Sequence, residues 1–459
     1  MGIKSPIWSK KIKRNFSLLL RNKKSKSNEA SVNFKLLIVT QFFPPDYAAT
    51  GQLIQELAQN LGQNDIQVNI FTGQPGYVFK EEQAPKIEVK SNLYIRRSQT
   101  VKICSKRIRA KAVNGVIFTL RSIWHLLRNA RKNNLVLLTT APPFLGIAGY
   151  ILNLCFGSEY ICLIYDLYPD AVVELDIISQ QHLITKLWHK INGIVWKRSK
   201  KIIVLSETMK QRITARHPKL ADKISAIHNW ANADWIVPLP KQKNWFARQH
   251  QLDRKFTVLY SGNMGRCHDL DTIVEAMKLL RDKPIQFVFI GAGTKHELCR
   301  QAVAEFGLDN CTFLPYQDKE NLPYSLTACD LALVSIAPGL EGVVAPSKLY
   351  GIMAAGKAIA AICEPHSYLR QIIDNAGCGA YVDNNNSQEL ATFIMNLAID
   401  PELTADLGHA GRNYMISNFT PQIITKQYCK AMDVDVTINS SKAKQRLTSI
   451  TKNRVTPQV

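Results

Sequence analysis

The sequence predicts an α/β protein built from two doubly wound Rossmann-like domains that face a central cleft. Short apolar segments of strand length alternate with amphipathic helical segments, and this alternation occurs twice along the chain. A polar, Pro-containing break between Ile227 and Asp253 separates the two series. The length of 459 residues also exceeds one ordinary core and suits two domains of about 200 residues with flanking ends.

Each series contributes its own set of predicted strands. The first domain opens with a strand, a turn and an amphipathic helix, at Phe34–Thr40, Gln41–Asp46 and Gln52–Leu61. Its other predicted strands are Val68–Phe71, Val136–Leu138, Tyr160–Leu163 and Ile202–Leu205. The second domain contributes the predicted strands Phe256–Tyr260, Gln286–Ile290, Thr312–Leu314, Leu331–Val334 and Ala358–Ile362. We expect a basic tail at 1–33, domains at 34–228 and 254–432, a linker at 229–253 and a disordered basic tail at 433–459.

An uncharged stretch of 22 residues from Leu135 to Phe156 is formally long enough to cross a bilayer. Pro142 and Pro143 interrupt this stretch early, and proline disrupts a spanning helix. We interpret it as a buried strand at Leu135–Thr140 followed by a short apolar helix at Phe144–Phe156. Residues 1–33 hold no apolar run long enough for a secretory signal. A soluble chain that attaches to a surface is therefore expected.

Positive charge is concentrated in the first half of the chain. The formal net charge is +22, and residues 1–230 hold 35 Lys and Arg against 14 Asp and Glu, a balance of +21. The stretch from Ser91 to Asn134 contains 11 Lys or Arg and no acid. Such a face attracts anionic membrane, nucleic acid or pyrophosphate-bearing substrates. Apolar residues such as Ile123 and Trp124 interrupt the cations and favour a membrane, while few interleaved aromatics disfavour nucleic acid.

The ten cysteines occur singly, with no CxxC pair, and many lie in apolar runs. This distribution is typical of reduced, cytosolic thiols that fill a core. No metal site is predicted from them.

The first chemical motif is Val258-Leu-Tyr-Ser-Gly-Asn-Met-Gly-Arg266, a strand that runs into two glycines and a cation. Gly262 and Gly265 allow the backbone to approach a phosphate, whose charge the following helix start favours. Arg266 is able to form a paired hydrogen bond with that anion. A simple tight turn at the strand end is the alternative.

The second motif, Pro338-Gly-Leu-Glu-Gly-Val-Val-Ala-Pro-Ser-Lys348, again leads a glycine-containing loop into a helix. Pro346 stands near the first turn, and Ser347 is a potential helix cap. Lys348 on the first turn opposes the helix dipole, which is easier to explain when an anion lies beside it. The alternative is a solvated lysine. We expect Lys348 to neutralise one phosphate while Arg266 holds the other.

Taken together with further segments, these motifs resemble the family 4 retaining glycosyltransferases, which have the GT-B fold. The similarity is greatest to the branch that builds bacterial exopolysaccharide and O-antigen, including the colanic-acid-type and L-fucosamine-type transferases. It extends from about Phe34 to Met432. The other segments that support it are Phe42–Asp46, Tyr165–Asp170, Ile227–Trp230, Phe289–Gly293, Leu314–Tyr316, Leu322–Val334 and Met353–Lys357.

The resemblance implies a hexosyl-type transferase that moves a sugar from a nucleoside diphosphate with retained configuration, without a metal or other cofactor. Arg266 and Lys348 match the family's pyrophosphate-binding cations, and Gly51 matches its first-domain glycine facing the donor. The segment from Leu314 to Tyr316 matches the place where the main chain meets the nucleotide base. Residues 34–228 and 254–432 then correspond to the acceptor and donor domains. Stabilising the leaving group is expected to be the main catalytic device.

One departure from the family pattern concerns its paired glutamates. The family usually carries two glutamates eight residues apart, and the later one binds the ribose hydroxyls. Counting back from Lys357, Gly351 occupies that later position and Val343 the earlier one. Glu341 either reaches the donor sugar from its loop, beside Gly342, or is an exposed loop acid.

Two acidic segments each have two interpretations. Asp166 follows an apolar strand, so it either orients or deprotonates an acceptor hydroxyl or caps the next helix. Asp269-Leu-Asp271 has the DxD pattern of some metal-binding sites but stands at a helix start, which favours capping.

Gly291-Ala-Gly293 follows a predicted strand, as a dinucleotide-binding fingerprint would. It lacks the third glycine and the acidic partner of that fingerprint.

The acceptors in this branch are usually sugars on polyprenyl diphosphate, so we expect a cytoplasmic protein, peripheral at the inner face of the plasma membrane. A nucleotide-sugar donor and anionic membrane are the expected partners, and nucleic acid is not. The alternatives are a nucleotide-sugar epimerase of GT-B fold and a non-catalytic membrane-surface scaffold, the latter made conceivable by Gly351.

Overall fold

The structure is a computed structural model, and it describes residues 34–46, 48–75, 84–90, 92–99 and 108–434. The predicted tail at 1–33 lies outside these residues, and only Asp433 and Val434 of the predicted tail at 433–459 are described. The described residues group into one compact unit.

An eight-stranded sheet forms the centre of the first domain. Its strands are β1 (Lys35–Val39), β2 (Gln67–Thr72), β3 (Ile87–Lys90), β4 (Leu93–Arg97), β5 (Leu135–Thr139), β6 (Glu159–Ile164), β7 (Lys201–Val204) and β8 (Ile224–Ala226). The spatial order is β3-β4-β2-β1-β5-β6-β7-β8, and every pair except β3 with β4 is parallel. All five residues of β5 are buried, as expected for a parallel strand covered on both faces.

Helices connect the strands of this sheet. They are α1 (Ala49–Gln63), α2 (Ile108–Arg128), α3 (Gly146–Phe156), α4 (Asp170–Glu174), α5 (Leu183–Arg198) and α6 (Glu207–Arg216). Ser206 caps α6, because its side chain accepts a hydrogen bond from the Met209 N–H. Gly157 ends α3 in the left-handed region at φ 68°, where a side chain would be strained.

The second sheet has six strands, all parallel. They are β9 (Phe256–Ser261), β10 (Ile285–Ile290), β11 (Cys311–Leu314), β12 (Leu331–Ser335), β13 (Ala358–Ile362) and β14 (Gly379–Val382), in the order β11-β10-β9-β12-β13-β14. The accompanying helices are α7 (Trp245–Gln249), α8 (Asp271–Leu279), α9 (His296–Glu305), α10 (Leu322–Thr327), α11 (Lys348–Ala354), α12 (Tyr368–Ala376), α13 (Ser387–Ile399), α14 (Pro401–Asn418) and α15 (Pro421–Met432). Two doubly wound sheets confirm the predicted fold class.

The chain between the sheets is packed rather than exposed. Lys241 is buried, and its Nζ contacts Asp330 Oδ2 at 2.5 Å. The Asn244 side chain caps α7 and donates to the Tyr324 carbonyl. The last helix of the described residues, α15, returns to the first domain and packs against α1 and β7.

The uncharged stretch from Leu135 to Phe156 forms β5, a turn and α3, as the sequence predicts. Within the part of the chain that the structure describes, no helix is both long and apolar enough to cross a membrane.

Candidate active site

The strand order of the second sheet places a ligand crevice between β9 and β12. The chain leaves these two neighbouring strands toward opposite sides of the sheet, which opens a crevice at their carboxyl ends. The loop after β9 begins at Gly262, and the loop after β12 leads to Lys348. Both predicted motifs therefore meet at one edge.

Close backbone packing explains the glycines at this edge. Gly262 has φ 129°, and its N–H donates to the Ile290 carbonyl at 2.8 Å. A Cβ on Gly291 would lie 2.1 Å from the Gly262 oxygen, and one on Gly293 would lie 2.4 Å from the Met264 carbonyl. The Gly291-Ala-Gly293 segment thus lets two strand-end loops touch, a role that needs no dinucleotide.

Lys348 presents a buried ammonium group to this edge. Its Nζ has no hydrogen-bond partner among the described residues and lies 3.5 Å from the centroid of the Tyr260 ring. A Cβ on Gly262 would lie 3.7 Å from the same nitrogen. Burial holds the pKa of Lys348 well below its usual value. An unpaired buried cation beside a glycine backbone is the arrangement that an anionic ligand would compensate.

Two residues of the second motif, Ser347 and Lys348, differ from interpretations that the sequence allowed. Ser347 stands at the N-cap position of α11, but its side chain makes no capping hydrogen bond because its backbone is already helical, at φ −66° and ψ −18°. The prediction of Ser347 as a cap is therefore wrong. Lys348 is not a solvated lysine, since its amino group is buried. Pro346 is buried just before this turn.

Arg266 is exposed on the loop after β9. It forms no ion pair with any described residue. Gly265 precedes it, where a Cβ would lie 2.9 Å from the Asn263 side chain. The two predicted cations therefore come from the two loops that flank the crevice, and their joint hold on a pyrophosphate stays a prediction.

Glu341 is buried at the domain boundary, with 2% of its surface exposed. Thr208 Oγ1 donates to its Oε1 at 2.5 Å, and the Tyr368 N–H donates to the same oxygen at 3.4 Å. Its Oε2 is buried without a partner among the described residues. The exposed-loop interpretation of Glu341 is wrong, because the first domain covers the loop. Gly342 beside it has φ 71°, and a Cβ there would lie 2.8 Å from the Thr208 oxygen.

Sequence reasoning missed the residues that hold this loop. Arg212 on α6 donates to the carbonyl oxygens of Gly339 at 3.1 Å and Glu341 at 3.2 Å. It also pairs with Glu174 and with Asp170, whose carboxylate is buried. The only sequence signal was a Thr and an Arg four residues apart on a helix after a predicted strand, too common a pattern to single out.

Asp166 faces the boundary from the first domain, just after β6. The nearby helix α4 begins at Asp170, and its N-cap is Pro169, so the capping interpretation of Asp166 is wrong. Burial raises the pKa of Asp166 to about 6. Burial, and next the charge of Asp166, raise the pKa of Cys267 in the second domain to about 11, so the two side chains lie near each other.

The remaining predicted residues are Gly51, Leu314 and Tyr316. Gly51 lies inside α1 rather than in a loop before the helix, and a Cβ there would meet the Phe42 and Phe43 backbone at 3.1 Å. The Leu314 carbonyl accepts from the Gly291 N–H at 3.0 Å. The Tyr316 hydroxyl donates to the Ala292 carbonyl at 3.4 Å. Leu314 and Tyr316 therefore lie beside the glycine segment after β10.

Gly351, where the resembling family carries a carboxylate, lies inside α11. A Cβ there would contact only the Leu326 side chain, at 3.4 Å. Next to it, the Tyr350 hydroxyl is 3.1 Å from His228 Nδ1. Burial lowers the pKa of His228 to about 4, so this imidazole is neutral at physiological pH.

Asp269 has the structural role that the sequence favours. Its carboxylate accepts from the Thr272 N–H at 3.0 Å and from the Thr272 hydroxyl at 2.8 Å. It also accepts from the Asn384 side chain at 2.8 Å. The described residues contain no cluster of three or more His, Cys, Asp or Glu that could hold a metal ion.

Residues 241–414 match the family model described as "Glycosyl transferases group 1". The chain carries a group 1 glycosyltransferase domain. It is a transferase enzyme. This result favours the predicted glycosyltransferase over the two alternatives, a nucleotide-sugar epimerase and a non-catalytic scaffold. The match contains both crevice loops, with Gly262, Arg266, Glu341 and Lys348.

Two named relatives are similar to this chain. It is 26% identical over 337 residues to the probable glycosyltransferase WbjE of Pseudomonas aeruginosa, an alignment that covers 72% of this chain and 81% of the relative. It is 31% identical over 151 residues to the putative colanic acid biosynthesis glycosyl transferase WcaI of Escherichia coli (strain K12), covering 33% and 37% of the two chains.

Solved structures share its fold. Sucrose-phosphate synthase from Thermosynechococcus elongatus superposes with a TM-score of 0.70 at 18% identity, over 87% of this chain and 98% of the other. Anabaena Alr3699/HepE in complex with UDP and glucose superposes with a TM-score of 0.67 at 14% identity, over 87% and 99%. The fold of the glycosyltransferase is therefore GT-B.

Proposed function

We propose that this enzyme transfers a sugar from a nucleoside-diphosphate sugar to a lipid-linked glycan acceptor, with retained configuration, in exopolysaccharide or O-antigen biosynthesis. The observation that carries the donor part is the buried, unpaired Nζ of Lys348 at the β9–β12 crevice. The name of WcaI, a colanic acid biosynthesis glycosyl transferase, supports the pathway, and the UDP complex of HepE supports a nucleotide-sugar donor.

In this proposal, charge on the leaving diphosphate is offset by one cation from each of the two loops that flank the crevice. Lys348 contacts one phosphate in a site shielded from water, where a fixed cation is worth more than in bulk solvent. Arg266 binds the other phosphate from the loop after β9. No metal is required, because these two cations together carry the positive charge that a divalent metal ion would otherwise supply to the diphosphate.

The acceptor hydroxyl approaches from the first domain. Asp166, with its pKa raised to about 6 by burial, orients that hydroxyl and accepts its proton. Glu341 borders the same boundary, held in place by Thr208 and the backbone N–H of Tyr368. Its second oxygen remains available for a sugar hydroxyl.

The polyprenyl-diphosphate acceptor and the anionic inner face of the plasma membrane are part of the same proposal. They are supported by the positive balance of +21 in residues 1–230 and by exposed apolar side chains on α2. Val113, Val116, Leu120 and Trp124 are each at least 45% exposed.

Removal of the Lys348 ammonium tests the donor site. We expect Lys348→Met to weaken UDP binding at least tenfold, about 1.4 kcal/mol, measured by calorimetric titration. The folded state should persist, because methionine fills the same buried space without an unpaired charge. A matched control is Lys283→Ala, an exposed lysine before β10, which should leave UDP binding unchanged. Equal UDP affinities for the wild type, Lys348→Met and Lys283→Ala would refute the proposed role of Lys348 in donor binding.

The nucleotide base and the sugar are then assigned by the largest thermal stabilisation among UDP-, GDP- and TDP-sugars. A ligand at a hundred times its Kd should add about 2.7 kcal/mol to the free energy of unfolding.

A further inference from the structure

His268 belongs to the loop after β9 that also carries Arg266. Its ring packs edge-on against Tyr260, with 6.0 Å between the ring centroids, and Lys348 Nζ lies 3.5 Å from the centroid of the same tyrosine ring. His268 therefore lies at the β9–β12 crevice close to Lys348, and the proposed function assigns it no role.

The side chain of His268 joins the two strand ends that flank the crevice. Its Nδ1 lies 2.8 Å from the carbonyl oxygen of Ser335, the last residue of β12. The backbone reinforces this link, because the Ala337 N–H donates to the Cys267 carbonyl at 3.0 Å. The imidazole ring is thus held between the ends of β9 and β12.

The Ser335 carbonyl determines which nitrogen of the ring carries the proton. A carbonyl oxygen only accepts hydrogen bonds, so Nδ1 is the protonated nitrogen that donates to it. In the neutral ring, Nε2 then has a free lone pair and is a hydrogen-bond acceptor. The ring is partly exposed, and no described residue forms a hydrogen bond with Nε2. His268 therefore offers an unused acceptor to a ligand in the crevice.

The surroundings of His268 disfavour a third cation at this place. Lys348 on α11 and Lys295 just before α9 are the cations that act on the ring. Burial, and next the charge of Lys348, lower the pKa of His268 to about 3, so the imidazole is neutral at physiological pH. Tyr260 on β9 is neutral as well, because burial raises its pKa well above the usual value. A neutral acceptor is complementary to a hydroxyl group, whereas an ionised phosphate oxygen has no proton to donate.

We propose that Nε2 of His268 accepts a hydrogen bond from a hydroxyl of the sugar-nucleotide donor, on either its ribose or its transferred sugar. The inference rests on the donor crevice of the proposed function. It divides recognition of the donor between two sets of residues. Lys348 and Arg266 bind the diphosphate, and His268 binds the part of the donor that carries hydroxyls.

Two substitutions separate the two nitrogens of the ring. His268→Asn keeps an N–H near the Nδ1 position for the bond to Ser335 and removes the Nε2 acceptor. His268→Gln places an amide oxygen near the Nε2 position instead. The probes for calorimetric titration of the full-length protein are inorganic pyrophosphate, UDP and UDP-glucose, and the first of these has no sugar hydroxyl.

His268→Asn should weaken UDP-glucose binding by roughly three- to tenfold, the loss expected for one hydrogen bond. Pyrophosphate binding should stay unchanged, which also shows that the variant is folded. An equal loss for UDP assigns the contact to the ribose, and no loss for UDP assigns it to the transferred sugar. His268→Gln should recover part of the loss. The matched control is His409→Asn, the same change at an exposed histidine on α14, which should alter none of the affinities.

The pH dependence of binding distinguishes a neutral ring from a charged one. The Kd of His268→Asn for UDP-glucose, divided by that of the wild type, should be constant from about pH 6 to 8. A ratio that rises as the pH falls would mean that the ring binds phosphate as a cation, and it would overturn the proposal. Unchanged UDP-glucose affinity in His268→Asn, or equal losses for all three probes, would overturn it too.

The Lys348→Met variant keeps this proposal distinct from the proposed function. Loss of the ammonium group should weaken binding of pyrophosphate, UDP and UDP-glucose alike, whereas loss of the Nε2 acceptor should spare pyrophosphate. Unchanged UDP affinity in Lys348→Met would refute the diphosphate clamp alone, and unchanged UDP-glucose affinity in His268→Asn would refute the hydroxyl contact alone. A wild type that binds neither UDP nor UDP-glucose would refute both.

Discussion

Lys348 and Asp166 lie on different domains, and burial disfavours the charged form of both. It holds the pKa of Lys348 well below its usual value and raises the pKa of Asp166 to about 6. Groups whose environments move their pKa values toward neutrality are suited to acid–base and ion-binding work at physiological pH. Each residue thus carries an energetic cost in the free enzyme that a ligand or substrate would offset.

Replacement of Asp166 tests its role in proton transfer. Asp166→Asn should lower the transfer rate by about 10²–10⁴-fold, the usual contribution of a positioned general base. In the wild type, the rate should rise as pH increases toward 6 and then level off, because only the ionised carboxylate accepts a proton. The measurement is the pH profile of kcat/KM, and the variant should lack this rise.

Stability provides the control for Asp166. Its folded pKa of about 6 is above the ordinary 3.8, so the folded chain binds more protons between these values and its stability falls as pH rises through them. Asp166→Asn should therefore increase the free energy of unfolding at pH 7 by up to about 3 kcal/mol, an increase that disappears near pH 3.5. A variant that is both inactive and less stable at pH 7 would indicate a structural role instead.

At the scale of elements, the loop between β12 and α11 is held by a helix of the other domain. The Leu167 N–H donates to the Val343 carbonyl at 2.9 Å, and Arg212 on α6 binds two carbonyl oxygens of the loop. An arginine fork suits this task because its donors have a fixed geometry. The position of Glu341 depends on these contacts.

Two glycine substitutions separate backbone strain from the domain contact. Gly342→Ala and Gly307→Ala both place a Cβ at positive φ, 71° and 59°, which costs about 1–2 kcal/mol. Only at Gly342 would the Cβ clash, 2.8 Å from the Thr208 oxygen, whereas nothing lies within 4 Å at Gly307. Urea denaturation should show a larger loss for Gly342→Ala by at least about 1 kcal/mol. Equal losses would mean that this domain contact is absent in solution.

The sequence predicted ten of the fourteen strands that the structure describes, most of them buried, and missed the other four. The strands β3, β4, β8 and β14 have three to five residues, and β3 is an exposed, antiparallel edge strand. A short segment contains too few alternations to establish a period, and an exposed edge lacks the apolar run that marks a central strand. Pairing with a neighbouring strand decides such segments.

Across the whole molecule, positive charge and exposed apolar side chains occur together in the first domain. Residues 231–459 hold 23 Lys and Arg against 22 Asp and Glu, so the balance of +21 in the first half has no counterpart there. Helix α2 exposes Leu120 and Trp124, at 60% and 61%, and Arg128 lies over the Trp124 ring at 5.2 Å. This pattern is typical of helices that lie in a membrane interface.

Vesicle sedimentation tests this surface. The full-length protein should sediment with vesicles containing anionic lipid and dissociate at high salt, because screening weakens exposed charges. Trp124→Asp should reduce the bound fraction severalfold. Leu298→Asp, which alters an equally exposed side chain (62%) in the second domain, should have no effect. Retention that is independent of salt, or equal loss in both variants, would contradict an electrostatic attachment through the first domain.

The sequence by itself determined the two sheets, the strand-end positions of Gly262 and Asp166 and the helix-start position of Lys348. Hydrophobic period and glycine placement are local properties, and they establish which segments become strands and which residues follow them. Only the tertiary structure decided that Glu341 is buried, that Ser347 does not cap its helix and that Asp166 lies near Cys267. These outcomes depend on segments more than a hundred residues apart coming into contact, as Thr208 and Glu341 do, and burial and pKa follow from those contacts rather than from local pattern.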